Sequence, residues 1–185
     1  MDALLLVDTT RDHLPSPPPP LVDLVDRVRG VGGVIVHVAE RAVESGGAGE
    51  QAADRAAEGV AEHARAPERT EDVEDGDLEV GDLQPQIDSA VGTTEDELVL
   101  VSGSPDAFEG VEDLAEGLDD LGVDRIIVAG SNARGGLLES SAAALAIGFE
   151  LTVVRDGLDD SGEWVAQLEA SGAVVKDGAD VWLKM

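Results

Sequence analysis

The sequence predicts a three-layer α/β/α, Rossmann-like domain on a mainly parallel sheet of six strands, and three observations carry that prediction. Short aliphatic runs alternate along the chain with stretches that repeat apolar residues at helical spacing, the order expected of a sheet wound by crossover helices. The strand runs are apolar throughout rather than at every second residue, as strands buried between two helix layers must be. Glycines stand where the helices should stop. With 185 residues, 43% of them hydrophobic, the chain has the length of one ordinary domain and enough apolar material for its core.

The first strand is the run Ala3–Val7, ending at Asp8. Pro15–Pro20 is a stiff connector whose last proline suits position N1 of a helix. Leu21, Leu24, Val25 and Val28 then mark one helical face, Gly30, Gly32 and Gly33 end it, and Val34–Val38 is the second strand. From about residue 41 to 97 Ala, Glu, Asp and Gly dominate: Gln51–Ala64 predicts an alanine-rich helix and Glu68–Asp82 a solvated loop, together an acidic, poorly patterned insertion within a single domain spanning 1–185. Leu98–Val101 resumes the strand pattern. Val111, Leu114, Leu118 and Leu121 share a helix face with Gly122 placed as its C′ residue. Arg125–Ala129 is a strand, and Gly136–Ile147 is a helix of small and apolar residues that should be well buried, ended by Gly148. Glu150–Val154 is a strand and Gly162–Ala170 a helix; Ala173–Val175 with Val181–Leu183 supply the final edge. In such a fold ligands bind beyond the carboxyl ends of the strands, where Asp8, Ser102 and Gly130 stand.

Charge narrows the possible partners. Forty Asp and Glu oppose twelve Lys and Arg, only Lys176 and Lys184 being lysines, for a formal net charge of −28. Such a surface repels itself unless salt screens it, so the acidity reads as halophilic, fitted to a cytoplasm of molar salt. It argues against nucleic acid, whose phosphates need basic patches. No run approaches the ~18 consecutive apolar residues of a membrane span, and MDALLLVDTT lacks the basic and apolar regions of a signal peptide; a cytoplasmic protein without membrane partners is expected. His13, His37 and His63 show no metal-ligand spacing. EDVEDGDLEV fails as a calcium loop, since Gly76 at its sixth position would put Glu71 first and Val73 third. Neither GxGxxG nor GxxxxGK[ST] occurs. No metal and no cofactor are expected.

Three segments, ALLLVDTTRDHL, VLVSGSPDAF and IIVAGSNARGGLLESSAAALAIGFELTVVRDGL, together resemble the isochorismatase-like hydrolase family, which also contains nicotinamidases and N-carbamoyl hydrolases. The resemblance covers Ala3–Val38 and Leu98 to nearly the end, and omits the acidic middle. It implies a site in which an aspartate deprotonates a cysteine beside a lysine. Here Asp8 matches the aspartate, while Ser102 stands at the lysine position and Gly136 at the cysteine position. The chain contains no cysteine, so thiolate attack on an amide is excluded.

The resemblance also implies an alternative chemistry, since isochorismatases proper carry glycine at the cysteine position and hydrolyse a vinyl ether. That reaction needs a proton delivered to the enol carbon and water at the resulting oxocarbenium ion, and Asp8 is the candidate general acid. The backbone amides of Asn132 and Gly136 match the family's oxyanion hole, with a cis peptide implied at Ser131–Asn132. Ser131, Asn132, Arg134 and Gly135 are the expected binding residues for a small anionic substrate. Losing the lysine removes a charge-assisted contact of about 1.5–3 kcal/mol; Arg134, and more weakly Arg11, are candidates to replace it.

Each of these residues also has a structural reading. Asp8 can serve backbone donors at a strand end, Gly135–Gly136 can allow close helix–sheet packing, Ser102 can be an inert replacement, Arg134 a solvated loop residue and His37 a packing residue at a strand end. The sequence therefore carries two functions forward: a cysteine-free hydrolase, and an inactive relative that binds a small molecule or serves assembly. The resemblance implies a homo-oligomer in either case.

Overall fold

The computed structural model describes residues 1–41, 87–132, 135–160 and 162–184. The predicted helix at Gln51–Ala64, the loop at Glu68–Asp82, His63 and Arg134 lie outside the described residues. The elements described belong to one compact unit formed by Met1–Ala42 and Leu83–Met185.

The strands are β1 (Asp2–Val7), β2 (Val34–Glu40), β3 (Leu98–Ser102), β4 (Arg125–Gly130), β5 (Glu150–Leu158) and β6 (Val174–Lys176). The helices are α1 (Pro19–Gly30), α2 (Ala107–Gly110), α3 (Leu114–Asp120), α4 (Gly136–Ile147) and α5 (Glu163–Ala170). The strands form one six-stranded sheet in the order β3-β2-β1-β4-β5-β6, with every pair parallel. The predicted α/β architecture is the observed one.

Strand pleating distributes the apolar side chains to two cores. Leu4 and Leu6 of β1 face α1, packing with Leu21, Leu24, Val25 and Val28. Ala3, Leu5 and Val7 face the opposite way, with Leu118 of α3, Leu137 and Ala144 of α4 and Leu168 of α5. Proline starts α1, since Pro19 and Pro20 fill its first two positions, where the missing N–H groups have no intrahelical acceptor. Gly148, at φ 116°, ends α4 as predicted.

Four differences from the expected elements have physical causes. The face Val111–Leu121 is only partly helical: Val111 follows the end of α2, the chain turns with Asp113 left-handed at φ 60°, and α3 holds only Leu114 and Leu118 of the four apolar positions; those two are buried, and Leu121 is exposed. Helix α4 buries one side only, leaving Ile147 50% exposed, because it lies in an outer layer with a single face on the sheet. Val181–Leu183 is not a strand. The edge beside β5 is already taken by β6, and the tail instead runs past the start of β1, where Asp2 N–H donates to Lys184 O at 3.0 Å and Val181 packs against the α1 core. Finally, residues 87–97, which share the composition of the insertion, are built into the fold: Ser89 bridges to Thr10, and Ala90 N–H donates to Thr9 O at 2.7 Å.

At their carboxyl ends strands β1 and β4 leave no space between them for a side chain. Gly130 sits at φ 130° opposite Val7, and a Cβ placed on it would stand 2.1 Å from Val7 O. A backbone carbonyl in a central strand cannot yield that distance, and the dihedral is itself unfavourable for an L side chain. Gly130→Ala is therefore expected to cost at least about 3 kcal/mol, read from urea unfolding midpoints; a loss below about 1 kcal/mol would show that the strands separate easily.

Candidate active site

The chain leaves β1 towards β2 on one side and leaves β4 towards β5 on the other, so a crevice opens at the carboxyl ends of these two central strands. Asp8 ends β1 there in the left-handed region, at φ 47°, a conformation that aspartate tolerates better than most residues. It is 1% exposed. Its N–H donates to Val38 O at 2.9 Å, and its Oδ1 accepts the Glu40 N–H at 3.0 Å. Both bonds tie the turn to β2 and leave Oδ2 facing α4.

Gly136, the first residue of α4, lies opposite. A Cβ on it would stand 3.6 Å from Asp8 Oδ2, 3.5 Å from Val7 Cγ1 and 3.1 Å from Pro105 O. The two positions singled out in the sequence thus meet. The last distance is tighter than ordinary packing, so a side chain at 136 would require the Pro105 carbonyl to give way by a few tenths of an ångström. That carbonyl is held over the helix by Ser140, whose hydroxyl donates to Pro105 O at 3.3 Å and accepts the Ala107 N–H at 2.9 Å.

The remaining expected residues fare differently. Ser102 is buried at the end of β3, but its hydroxyl turns into its own loop: it donates to Ser104 O and accepts the Ser104 N–H at 3.2 Å. Gly110 closes on the same oxygen so tightly that a Cβ there would overlap it. Ser131 is fully buried, with its hydroxyl donating to Asp159 Oδ2 at 2.6 Å. The Asn132 N–H, an expected oxyanion-hole donor, is bonded to Asp159 Oδ1 at 3.0 Å, while the Asn132 side-chain oxygen accepts the Leu138 N–H at 3.0 Å and caps α4. The Ser131–Asn132 bond is trans rather than cis, the ordinary state for a peptide not preceding proline. Gly135 is the N-cap of α4 at φ 80°, where glycine is the natural occupant. As the first helical residue, Gly136 has an N–H without an intrahelical acceptor. Arg11 pairs with Asp88 at 2.9 Å on an exposed surface, and so does not replace the lysine. Arg134 lies outside the described residues.

Three residues of the site were missed in the sequence. His13 lies in the turn after Asp8, with Nδ1 3.8 Å from Asp8 Oδ1 and 3.4 Å from Thr10 Oγ1. Pro105 supplies the carbonyl above Gly136, and Asp159 engages Ser131 and Asn132. For His13 the signal was present, since it shares a short loop with Asp8; Pro105 and Asp159 come from other loops and carry no local pattern.

The chain matches the isochorismatase domain over residues 2–179. It belongs to the isochorismatase family. No protein of curated function matches the chain by sequence. Among solved structures, the isochorismatase fold seen here is similar to N-carbamoylsarcosine amidase from Thermoplasma acidophilum, at TM-score 0.65 and 16% identity over 97% of this chain and 98% of that one. It is equally similar to the pyrazinamidase of Pyrococcus horikoshii in complex with zinc, at TM-score 0.65 and 20% identity over 95% and 98%. An isochorismatase family protein from Burkholderia thailandensis also matches at TM-score 0.65, with 17% identity over 97% and 93%. At these identities the likeness speaks for the fold. Within this isochorismatase-family chain, no group of three or more His, Cys, Asp or Glu side chains is placed to hold a metal ion among the described residues.

A buried electrostatic cluster of the isochorismatase domain lies elsewhere. Glu97 precedes β3, at the opposite end of the sheet from Asp8, and accepts from Arg29 at 2.7 and 3.1 Å, from the Thr94 N–H at 3.0 Å and from His37 Nε2 at 3.0 Å. Burial opposes its charge, but these donors outweigh burial and hold its carboxyl down at about 2. His37, in the body of β2 rather than at its end, is pushed below the usual imidazole range by burial, against the pull of Glu97. Its Nδ1 is buried without a partner, an arrangement that suits a bare lone pair far better than an N–H. The expected packing residue at a strand end is thus a buried mid-strand histidine bonded to Glu97.

Proposed function

We propose that this isochorismatase-family chain is a hydrolase that works without a thiol, cleaving the vinyl ether of a small anionic substrate with Asp8 as general acid. The observation that carries this reading is the 3.6 Å between Asp8 Oδ2 and the place where a Gly136 side chain would begin. Glycine there puts no side chain between α4 and a carboxyl oxygen, and an enolpyruvyl group enters beside it as the Pro105 carbonyl gives way. Asp8 gives its proton to the terminal carbon of the enol ether. Water then adds to the oxocarbenium carbon and returns a proton to the Asp8 carboxylate. The hemiketal breaks its C–O bond to yield a ketone and an alcohol, consuming one water with no net change in the acid. The Gly136 N–H, with Ser131 and Gly135 beside it, is the proposed contact for the anionic part.

Isochorismate incubated with the protein in molar KCl should release pyruvate, and Asp8→Asn should slow release at least about 100-fold, the scale of general acid catalysis. Release equal to buffer, or unaffected by that substitution, would remove the reading. The inactive-relative reading is favoured by one specific observation: the Ser102 hydroxyl and the Asn132 amide, at two of the family's functional positions, are both bonded within the protein. It requires binding of a small acid, or self-association, that survives Asp8→Ala with no turnover.

A further inference from the structure

We infer that His13 is the positioning residue of the Asp8 site, the cationic partner that stands in for the absent lysine and balances the carboxylate left when Asp8 has given up its proton. The inference rests on the reading of Asp8 as the acid, and its geometry is independent of that reading. The turn after β1 is closed by Thr10 O, which accepts the His13 N–H at 3.1 Å and the Leu14 N–H at 2.7 Å. That turn carries the ring back over the strand end, so that Nδ1 comes 3.8 Å from Asp8 Oδ1 and 3.4 Å from the Thr10 hydroxyl. The first distance is that of an ion pair rather than a hydrogen bond. The His13 side chain is 19% exposed and that of Asp8 2%. The imidazole therefore stands between a buried carboxylate and solvent, in contact with Oδ1 while Oδ2 faces the Gly136 space.

The charged groups at this end of the fold include Asp8 and Asp12 on the β1 turn, Glu40 and Arg41 at the end of β2, the Arg11–Asp88 pair on the neighbouring segment, Asp106 and Glu109 after β3, Glu139 in the first turn of α4, and Asp159 and Asp160 after β5. Arg11 is held by Asp88, and Asp12 and Arg41 are exposed. Among the described residues, His13 is the basic side chain within 4 Å of Asp8. Histidine suits the task because its side chain is able to carry a positive charge beside a carboxylate. In the reaction proposed above, the imidazolium attracts the carboxylate formed by proton transfer to substrate, and the attraction ends when the attacking water's proton returns to Asp8. No proton is gained or lost by His13 over the cycle.

The test combines kinetics with an unfolding cycle on the full chain. With an enol ether substrate, His13→Gln should lower kcat about 30-fold with KM changed less than about 3-fold, and His13→Lys should recover most of the loss. The pair Asp8→Asn/His13→Gln should be no slower than Asp8→Asn alone, because His13 acts through Asp8. Equal kcat in His13→Gln and wild type, or additive losses in the double variant, would overturn the assignment. In thermal unfolding, His13→Gln should lower the midpoint by about 2 °C more in wild type than in the Asp8→Asn background. Equal shifts in both would overturn the pairing. If wild type turns over no enol ether, the reading of Asp8 as acid falls, and the unfolding cycle alone still supports or overturns the Asp8–His13 pair.

Discussion

Glu97→Gln is expected to destabilise the fold by about 3 kcal/mol at neutral pH without touching the site at Asp8. Four donors converge on this carboxylate: two from Arg29, one from the Thr94 N–H and one from His37. Breaking a buried ionic cluster by removing one partner costs about 3–5 kcal/mol. Arg29 is 25% exposed and can regain some water, which sets the expectation at the lower end. The pH dependence supplies a second reading of the same cluster. The Glu97 carboxyl is held at about 2, below its ordinary value. Its contribution is therefore complete above the ordinary carboxylate range and is lost as pH falls towards 2. Urea midpoints of wild type and Glu97→Gln should converge over that interval. His37 acts in the same direction: the fold prefers the neutral ring, so stability declines as pH falls below about 6.5, where the unfolded chain takes up the proton first. A variant as stable as wild type at pH 7, or a gap that persists unchanged at pH 2, would show that the cluster is held by packing instead.

The cluster also marks where the sequence was legible. Continuous apolar runs place every strand of the sheet: β1, β2 and β4 are buried between helix layers, and the partly exposed edges β3 and β6 carry the same aliphatic residues. Gly122 and Gly148 are legible because each is required by its own helix end. The partnership of Arg29, His37 and Glu97 is not, since the three come from α1, β2 and the segment before β3, and nothing local records that they meet. The site divides along the same line. Asp8 and Gly136 were readable because their strand-end and helix-start contexts resemble those of a known family. The fate of Ser102 was not, because whether a serine faces a crevice or its own turn depends on Gly110 closing behind it. The α2–α3 break escaped periodicity as well: Val111 keeps the helical spacing, yet the chain is diverted at Asp113, and spacing alone records no dihedral.

Raising KCl from about 0.1 M to about 2 M is expected to lift the thermal unfolding midpoint by at least about 10 °C, corresponding to about 3–5 kcal/mol for a chain of this size. The formal net charge of −28 sets the scale, and the placement of the carboxylates shows where the repulsion acts. Helix α3 ends in Asp119 and Asp120 with no basic residue in its last turn, so negative side chains meet the negative end of the helix dipole. Helix α5 repeats the pattern, with Glu169 near its end and no basic residue to offset it. Each such contact costs a fraction of a kcal/mol when unscreened. Salt shortens the screening distance from about 10 Å at 0.1 M to about 3 Å at 1 M, which removes repulsion across the surface while leaving adjacent pairs such as Arg11–Asp88 largely in contact. Substituting Asp119 and Asp120 by asparagine should raise the midpoint at low salt and change it little at 2 M. If the midpoint of wild type is flat in KCl, the acidic surface has another cause; if it rises but those substitutions help equally at both salt levels, the gain comes from cation binding rather than from screening.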